Sequence, residues 1–241
     1  MSISYLRLEI MRVLRNPRTA IFTVAMPALL FLVFGNLNGG MLANISAKAY
    51  VMVSMAAYGS IGAALFSAAN IALERKLGWN RQLRLTPLPP LAYVLAKGIV
   101  AWLVTLVSLV CVYAVGIASG VRMPWPQLFE AVGATWVAVI PFVLLGVGIG
   151  YVGNVDMVQP ATMFTFFGMS ILGGLWVPVE VMPHILRTIA ELVPSYWLGL
   201  AGRAALGAPG FGWLGVLVLL GWAALFAAFA SRRYRADTAR A

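Results

Sequence analysis

The chain has 241 residues, of which 62% are hydrophobic and only 10% are charged. A soluble domain carries roughly 25% charged residues, so these side chains cannot cover a globular surface with charge. Six stretches, each at least 23 residues long, contain no Asp, Glu, Lys or Arg. This composition excludes soluble enzymes, DNA-binding proteins and secreted disulfide-rich proteins, and it predicts a polytopic membrane protein.

The net charge of +10 comes from 17 Lys and Arg residues against 7 Asp and Glu residues. Thirteen of the cations precede the first uncharged stretch, lie between the second and third, or follow the sixth. The other four are Lys48, Arg122, Arg187 and Arg203. Because cytoplasmic loops of membrane proteins carry an excess of Lys and Arg, we expect both termini in the cytoplasm.

The first predicted element is an amphipathic helix over residues 3–17. Its apolar side chains recur at three- and four-residue spacing, while Arg12 and Arg15 project from the other face. Such a helix lies in the membrane interface with its cations toward lipid phosphates. Pro17 ends it. A charged tail of no special shape is the alternative.

The uncharged stretches predict the membrane-crossing helices, since a helix needs about 20 apolar residues to cross the hydrocarbon core. They predict one domain over residues 1–241 with six spans at about 19–37, 50–72, 94–118, 130–152, 159–176 and 211–230. Gly146, Gly148 and Gly150 in the fourth span are expected to let another helix approach its backbone closely.

The segment from Glu74 to Pro90 is too long and too patterned for a plain turn. It predicts about three helical turns, ended by Pro87 and the prolines after it. Leu77 and Leu83 fall within one broad apolar arc with basic flanks, which suits docking into a groove of a partner protein. A basic loop held against anionic lipid is the alternative.

The segment from Gly173 to Pro194 is predicted on the extracellular side. Pro178 ends the fifth span, and Pro183 is expected in the first turn of a new helix. Glu180 is expected near the positive dipole end of that helix, where it can satisfy free amides. The apolar face of that helix predicts that it re-enters the membrane or lies on the outer leaflet. Irregular backbone at membrane depth must be buried in protein or line a wet cavity, so this segment is expected to cap a pathway. A purely structural hairpin is the alternative.

The residues needed for catalysis or metal binding are scarce. No G-x-x-x-x-G-K-[ST] sequence occurs, so the chain has no phosphate-binding loop for ATP. One cysteine, Cys111, and one histidine, His184, cannot form a disulfide framework or a zinc site. The uncharged stretches also hold none of the acid–base pairs that proton-coupled transporters bury. Energy for transport against a gradient would therefore have to come from a partner.

Four motifs occur in order along the chain: Arg15-Asn16-Pro17-Arg18 with Pro27; Glu74-Arg75-Lys76-x-Gly78 continuing to Leu85-Thr86-Pro87-Leu88-Pro89; Gly174-x-x-Val177-Pro178-x-Glu180-x-x-Pro183; and Leu192-x-Pro194-x-x-Trp197 with Arg203. In a six-span frame, this ordered set resembles the membrane-spanning permease subunit of type-2 ABC exporters. The likeness covers essentially the whole chain.

The resemblance implies an all-α integral membrane fold with six transmembrane helices. It also implies an N-terminal interfacial helix, a cytoplasmic coupling helix and extracellular re-entrant helices. Two such subunits would form a homodimer or heterodimer in a bacterial plasma membrane, each served by a separate cytoplasmic ABC ATPase that binds ATP and Mg. Family members export amphiphilic small molecules such as antibiotics, or polysaccharides and lipid-linked glycans.

The resemblance and the residues together assign three candidate sites. The ATPase-coupling residues are Glu74, Arg75, Leu77, Gly78 and Leu83, and the extracellular gate residues are Pro178, Glu180 and Pro183. A cargo path between two protomers would be lined by Ser60, Ser67, Asn70, Thr162, Thr165 and Phe166, although ordinary interhelical hydrogen bonding explains these polar residues equally well. Catalytic and metal-binding residues are not expected.

Two other functions stay open at this point. One is a membrane channel or scaffold that works without ATP. The other is an intramembrane enzyme, which the shortage of His, Asp and Glu within the spans disfavours. An ATPase that purifies with the chain would separate an exporter from both.

Overall fold

The computed structural model describes residues 21–37, 40–42, 45–77, 90–152 and 155–238, together with Met11. The predicted interfacial helix at 3–17 therefore lies outside the described residues except for Met11, and residues 78–89 of the predicted coupling segment lie outside them as well. Most of the described residues are helical.

Nine α-helices and four short elements are described. In chain order they are a π-helical turn (Ile21–Ala25), α1 (Met26–Leu37), β1 (Met41–Leu42), β2 (Ile45–Ser46), α2 (Ala47–Lys76), α3 (Pro90–Ala118), α4 (Trp125–Ala138), α5 (Ile140–Gly150), α6 (Val155–Leu172), a 3-10 turn (Val179–Val181), α7 (His184–Leu192), α8 (Pro194–Ala204) and α9 (Gly212–Thr238). The two strands form one small antiparallel pair that the sequence did not predict.

Four helical segments are long and apolar enough to cross a membrane. They lie at Ala47–Lys76, Tyr93–Ala118, Trp125–Gly150 and Gly212–Ala236. A shorter apolar helix occupies Thr23–Asn36, and α6 has 18 residues with Pro160 inside it. The chain is thus a mostly helical membrane protein, and the count of six spans stays a prediction.

The fourth predicted span is two helices that meet at Val139. Pro141 lies in the first turn of α5, where it has no backbone N–H to donate to the carbonyl four residues earlier. The chain turns there through hydrogen bonds from the Val139 N–H to the Thr135 oxygen and from the Phe142 N–H to the Val139 oxygen. The predicted span at 130–152 therefore begins earlier, at Trp125, and is broken in the middle.

The central helix of the bundle is α2. It packs against α1, α3, α5, α6 and α8, and nearly all of its membrane-spanning part is buried, whereas α9 is mostly exposed. A Cβ placed on Gly146 of α5 would lie 2.7 Å from the backbone oxygen of Ala64 in α2. A Cβ on Gly148 would lie 2.5 Å from the Phe229 ring of α9. These two glycines confirm the predicted close approach of helices to α5.

Candidate functional site

The C-terminal end of α2 is attached to α3 by a buried ion pair. Lys97 Nζ lies 2.7 Å from Glu74 Oε1, and the Tyr93 hydroxyl donates to Glu74 Oε2. Glu74 is 3% exposed and Lys97 is 6% exposed. Tyr93 and Lys97 are four residues apart on α3 and so share one face of that helix. Separating the carboxylate from these two partners would remove a direct ion pair and a hydrogen bond from a buried charge, which is costly.

Arg75 attaches the same end of α2 to two further helices. Its Nη1 donates to the carbonyl oxygen of Gly150 at 3.1 Å, where a cation is favourable at the C-terminus of α5. Its guanidinium lies 5.2 Å from the ring centroid of Tyr151, and Tyr151 in turn packs edge-on against Tyr234 of α9 at 5.5 Å. We call Glu74, Arg75, Tyr93, Lys97 and Tyr151 the Glu74 cluster.

The described chain leaves α2 at Leu77, whose N–H donates to the Leu73 oxygen at 3.1 Å. The Leu77 side chain is 69% exposed. Of the five predicted coupling residues, Glu74 and Arg75 thus face into the bundle and Leu77 faces outward. Gly78 and Leu83 lie outside the described residues.

At the opposite end of α2, a second cluster surrounds a buried arginine. Arg203, in the last turn of α8, is 1% exposed. Its Nη1 donates to the Ser54 hydroxyl at 3.0 Å, and its guanidinium lies 4.5 Å from the ring centroid of Tyr50. The Tyr50 hydroxyl donates to Glu180 Oε2 at 3.1 Å. We call Tyr50, Ser54, Glu180 and Arg203 the Arg203 cluster.

The Arg203 guanidinium is incompletely paired. Within the described part of the chain, it forms no salt bridge and its Nε has no hydrogen-bond partner. A cation over an aromatic face gains roughly 2 kcal/mol or more when it is removed from water. Tyr50 therefore provides part of the stabilisation that a carboxylate would otherwise give.

The predicted gate residues occupy the turn that carries Glu180. Pro178 precedes the 3-10 turn, and Pro183 is the N-cap residue of α7 rather than a residue of its first turn. Glu180 was expected to satisfy amides at the start of α7. Instead no side chain among the described residues caps α7, and Glu180 accepts a hydrogen bond from Tyr50. Among the described residues, the Tyr50 phenol thus joins the gate turn to α2 by a hydrogen bond.

The segment around this turn is fixed to its neighbours by side-chain donors. Trp197 Nε1 donates to the Glu191 oxygen at 2.7 Å, which joins α8 to α7. Trp222 Nε1 donates to the Leu192 oxygen at 3.1 Å, which joins α9 to α7. The predicted apolar face of α7 is exposed, and Ile185 has 75% of its surface accessible. That exposed face is available to lipid or to a second protein.

The predicted path residues lie where α2 packs against α6. The Ser60 hydroxyl donates to the Ala57 oxygen at 2.8 Å, and the Thr162 hydroxyl donates to the Val158 oxygen at 2.7 Å. Phe166 is fully buried, 4.6 Å from Tyr58 between ring centroids. Asn70 and Thr165 are half-buried, and the side chain of Ser67 is outside the described set. The hydroxyls of Ser60 and Thr162 thus bond within their own helices, not between helices.

Sequence reasoning missed Tyr50, Tyr93 and Lys97 and gave Arg203 no role beyond its motif. The available signal was the position of Lys97 and Arg203, each immediately before a long uncharged stretch. The pairing of Tyr50 with Glu180 spans 130 residues and could not be found from local spacing. In the described part of the chain, no group of three His, Cys, Asp or Glu residues could hold a metal ion.

The fold and these clusters define a multi-pass helical membrane protein whose buried charges join helices to one another. Residues 3–206 match the ABC-2 type transporter family, and the chain belongs to that family. It is also 26% identical over 222 residues to a protein of Bacillus subtilis (strain 168) named "Putative transport permease YvfS". That alignment covers 90% of each chain. The chain is therefore a transporter permease subunit.

Proposed function

We propose that the chain is the membrane-spanning subunit of an ATP-driven exporter in a bacterial plasma membrane. Its cargo would be an amphiphilic small molecule, such as a drug or antibiotic, or a glycan or lipid-linked molecule. ATP and Mg would bind to a separate cytoplasmic ABC ATPase, since this sequence has no phosphate-binding loop. A second permease protomer would complete the transporter.

The observation that carries this proposal is the attachment of the end of α2 to three helices. The Glu74 cluster joins α2 to α3 through Glu74 and Lys97 and to α5 through Arg75. The third helix is α9, whose Tyr234 packs against the Tyr151 ring beneath Arg75. A force applied just beyond Lys76 would therefore move these helices together. A slack connection would instead lose the movement in its own conformational freedom. Rigid-body rotation of the helices would then switch access from one side of the membrane to the other.

The contact with the ATPase is proposed within residues 74–85. Leu77 and Leu83 would enter a groove of the ATPase, and Gly78 would allow close approach. The Leu77 side chain is exposed, and an apolar side chain is stabilised when a partner protein covers it. The exposure of Leu77 therefore supports this assignment. Glu74 and Arg75 would fix the angle of the segment to α2 from inside the protein.

The Arg203 cluster is proposed as the extracellular gate contact. Pro178 and Pro183 restrict the backbone on either side of Glu180, and the Tyr50–Glu180 hydrogen bond would hold the gate turn against α2. Cargo would pass between the protomers along the polar residues of α2 and α6. Both termini and residues 74–92 would be cytoplasmic, as the 13-to-4 division of cations suggests.

The experiment is co-purification of an ABC ATPase with the chain, followed by a comparison of leucine variants. Leu77→Asp and Leu83→Asp should leave membrane abundance intact but abolish ATPase binding and stimulated hydrolysis. Leu192→Asp is the matched control, since Leu192 is 68% exposed at the other end of the bundle. Arg81→Gln with Arg84→Gln should have a smaller effect than either coupling variant.

Two results would contradict the proposal. ATP hydrolysis by the purified chain without a partner would overturn the separate-ATPase assignment. Normal ATPase binding by both leucine variants, with loss of export in the Arg81 and Arg84 variants, would favour a loop that only contacts anionic lipid. Cysteine labelling at Arg240 and Thr188 tests the orientation, because labelling of both from one side would exclude the six-span topology.

A further inference from the structure

Three helices leave an apolar groove on the outer surface of the bundle. It lies between α3, α5 and α9 and has a volume of about 600 Å³, which is within the range of pockets that hold small ligands. Gly98, Val143 and Ala230 are among its lining residues. Its polar side chains are concentrated in the last turns of α9, at Ser231, Tyr234 and Arg235. The groove is thus apolar along its length and basic at one end.

The length of the groove matches one leaflet of a bilayer. Its lining runs from Val94 to Trp102 on α3, which is about 12 Å at the helical rise of about 1.5 Å per residue. Half of a hydrocarbon core of about 30 Å is about 15 Å. Arg235 and Val94 lie at the end where α9 finishes, and Trp102 and Ile140 lie at the other end, which would face the bilayer centre. A lipid chain lying in the groove would therefore place its headgroup near Arg235.

The deep end of the groove is rigid. Trp102 stacks on Trp136 with ring centroids 4.0 Å apart and an interplanar angle of 3°. Each indole N–H donates to the backbone oxygen of the other residue, at 2.9 and 3.0 Å. Because Trp102 is held in this way, it cannot easily rotate to fill the space beside Gly98. Among the described residues nothing fills the groove, so its apolar wall would be covered by an occupant from the membrane.

We propose that this groove retains one anionic phospholipid. An acyl chain lies along Gly98 and Ala230, and the lipid phosphate binds Arg235. Charge complementarity selects the anionic headgroup, because α9 carries Arg232, Arg233 and Arg235 in its last turns. The assignment of this lipid to the cytoplasmic leaflet rests on the proposed orientation of the chain. The site itself does not depend on the partner ATPase or on the cargo.

The test is native mass spectrometry of the full chain, delipidated in detergent and titrated with phosphatidylglycerol or phosphatidylcholine of identical acyl chains. The wild-type chain should retain one phosphatidylglycerol in preference to phosphatidylcholine. Gly98→Leu should remove this binding by filling the groove, since a Cβ there meets only Val143, at 4.0 Å. Gly221→Leu is the matched control on α9, where a Cβ meets no described atom within 4 Å.

The headgroup contact is tested separately. Arg235→Gln should lower the preference for phosphatidylglycerol by about fivefold, the effect of one basic residue near an anionic lipid. Arg233→Gln should lower it less, because Arg233 lies over the Phe229 ring at 5.6 Å and does not line the groove.

Equal retention of the two lipids by the wild-type chain would overturn the proposal, since the lipid would then only solvate an apolar face. Equal effects of Gly98→Leu and Gly221→Leu would also overturn it. If Gly98→Leu fails to fold, Arg235→Gln still tests the proposed lipid site, because Arg235 is exposed. An unchanged lipid preference in that variant would contradict the proposal.

Discussion

The two ends of α2 each hold a buried cation, but they stabilise it in different ways. In the Glu74 cluster, Lys97 contacts a carboxylate directly at 2.7 Å, and both side chains are buried. In the Arg203 cluster, the cation contacts a hydroxyl and an aromatic ring. Among the described residues, the exposed carboxylate of Glu180 forms no salt bridge with it but accepts a hydrogen bond from Tyr50. In each cluster the buried cation donates a hydrogen bond to a residue of α2, which is Glu74 in one and Ser54 in the other. Helix α2 therefore joins the two clusters.

This difference predicts different mechanical behaviour. A direct ion pair in a dry environment resists separation, because each charge left alone carries a large desolvation penalty. The contact between Tyr50 and Glu180 is one hydrogen bond to an exposed carboxylate, which water can replace at little cost. We therefore expect the Glu74 cluster to act as a rigid joint and the Arg203 cluster to act as a contact that opens and closes.

The largest expected effect is on the rigid joint. Lys97→Met would remove the cation that lies 2.7 Å from the buried Glu74 carboxylate, and we expect it to lower the free energy of unfolding by about 3–5 kcal/mol. Arg203→Met should cost less, about 2 kcal/mol, because it removes a cation–π contact without leaving a buried carboxylate behind. Denaturant titration of both variants in detergent micelles measures the difference. An equal or larger loss in Arg203→Met would contradict the comparison.

A double variant sharpens this first prediction. Glu74→Gln combined with Lys97→Met should recover much of the stability lost in Lys97→Met, because no charge is left unpaired. Additive losses in the double variant would mean that the two side chains do not act as a pair.

The next effect concerns the helix contacts near each cluster. Gly146→Ala would push against the backbone oxygen of Ala64, and we expect it to cost about 1–3 kcal/mol despite the better helix propensity of alanine. Gly199→Ala would meet the side-chain ends of Leu175 and Arg203, so the guanidinium of the Arg203 cluster would have to shift while the backbone stays in place. Thermal unfolding should therefore show a larger loss for Gly146→Ala than for Gly199→Ala. A larger loss of stability in Gly199→Ala than in Gly146→Ala would contradict the assignment of the rigid contact to the Glu74 end of α2.

The smallest effect on stability is expected at the gate contact. Tyr50→Phe removes the hydrogen bond to Glu180 but keeps the ring over Arg203, so it should cost only about 1 kcal/mol. We expect export to change more than stability does, because the variant releases the gate turn from α2. Glu180→Gln keeps a hydrogen-bond acceptor and should export better than Glu180→Ala. If all three variants export normally, the gate assignment is wrong.

The sequence was sufficient for the class of protein and for most helix positions. Uncharged stretches identify α2, α3 and α9 because the bilayer imposes a length and a composition on each span. The break at Val139 was missed, although Pro141 was available as a signal.

The buried clusters could not be predicted because their partners are far apart in the chain. Glu74 and Lys97 are 23 residues apart and belong to different helices. Arg203 and Ser54 are 149 residues apart. Local spacing places a charge at the end of a span, but only the packing of the helices determines which residue it meets. For the same reason, Glu180 was predicted to cap a nearby helix when its described partner is Tyr50.

The most direct measurement is of distances across both clusters during the ATPase cycle. The chain has a single cysteine, so a Cys111→Ala background allows spin labels at exposed positions. One pair at Leu73 and Leu95 reports on the Glu74 cluster, and one pair at Val181 and Ile117 reports on the gate turn. Pulsed electron resonance would compare nucleotide-free and ATP-bound complexes, with labelled chain diluted in unlabelled chain. The account predicts an unchanged distance between 73 and 95 and a shifted distance between 181 and 117. A shift across the Glu74 cluster with no change at the gate turn would contradict it.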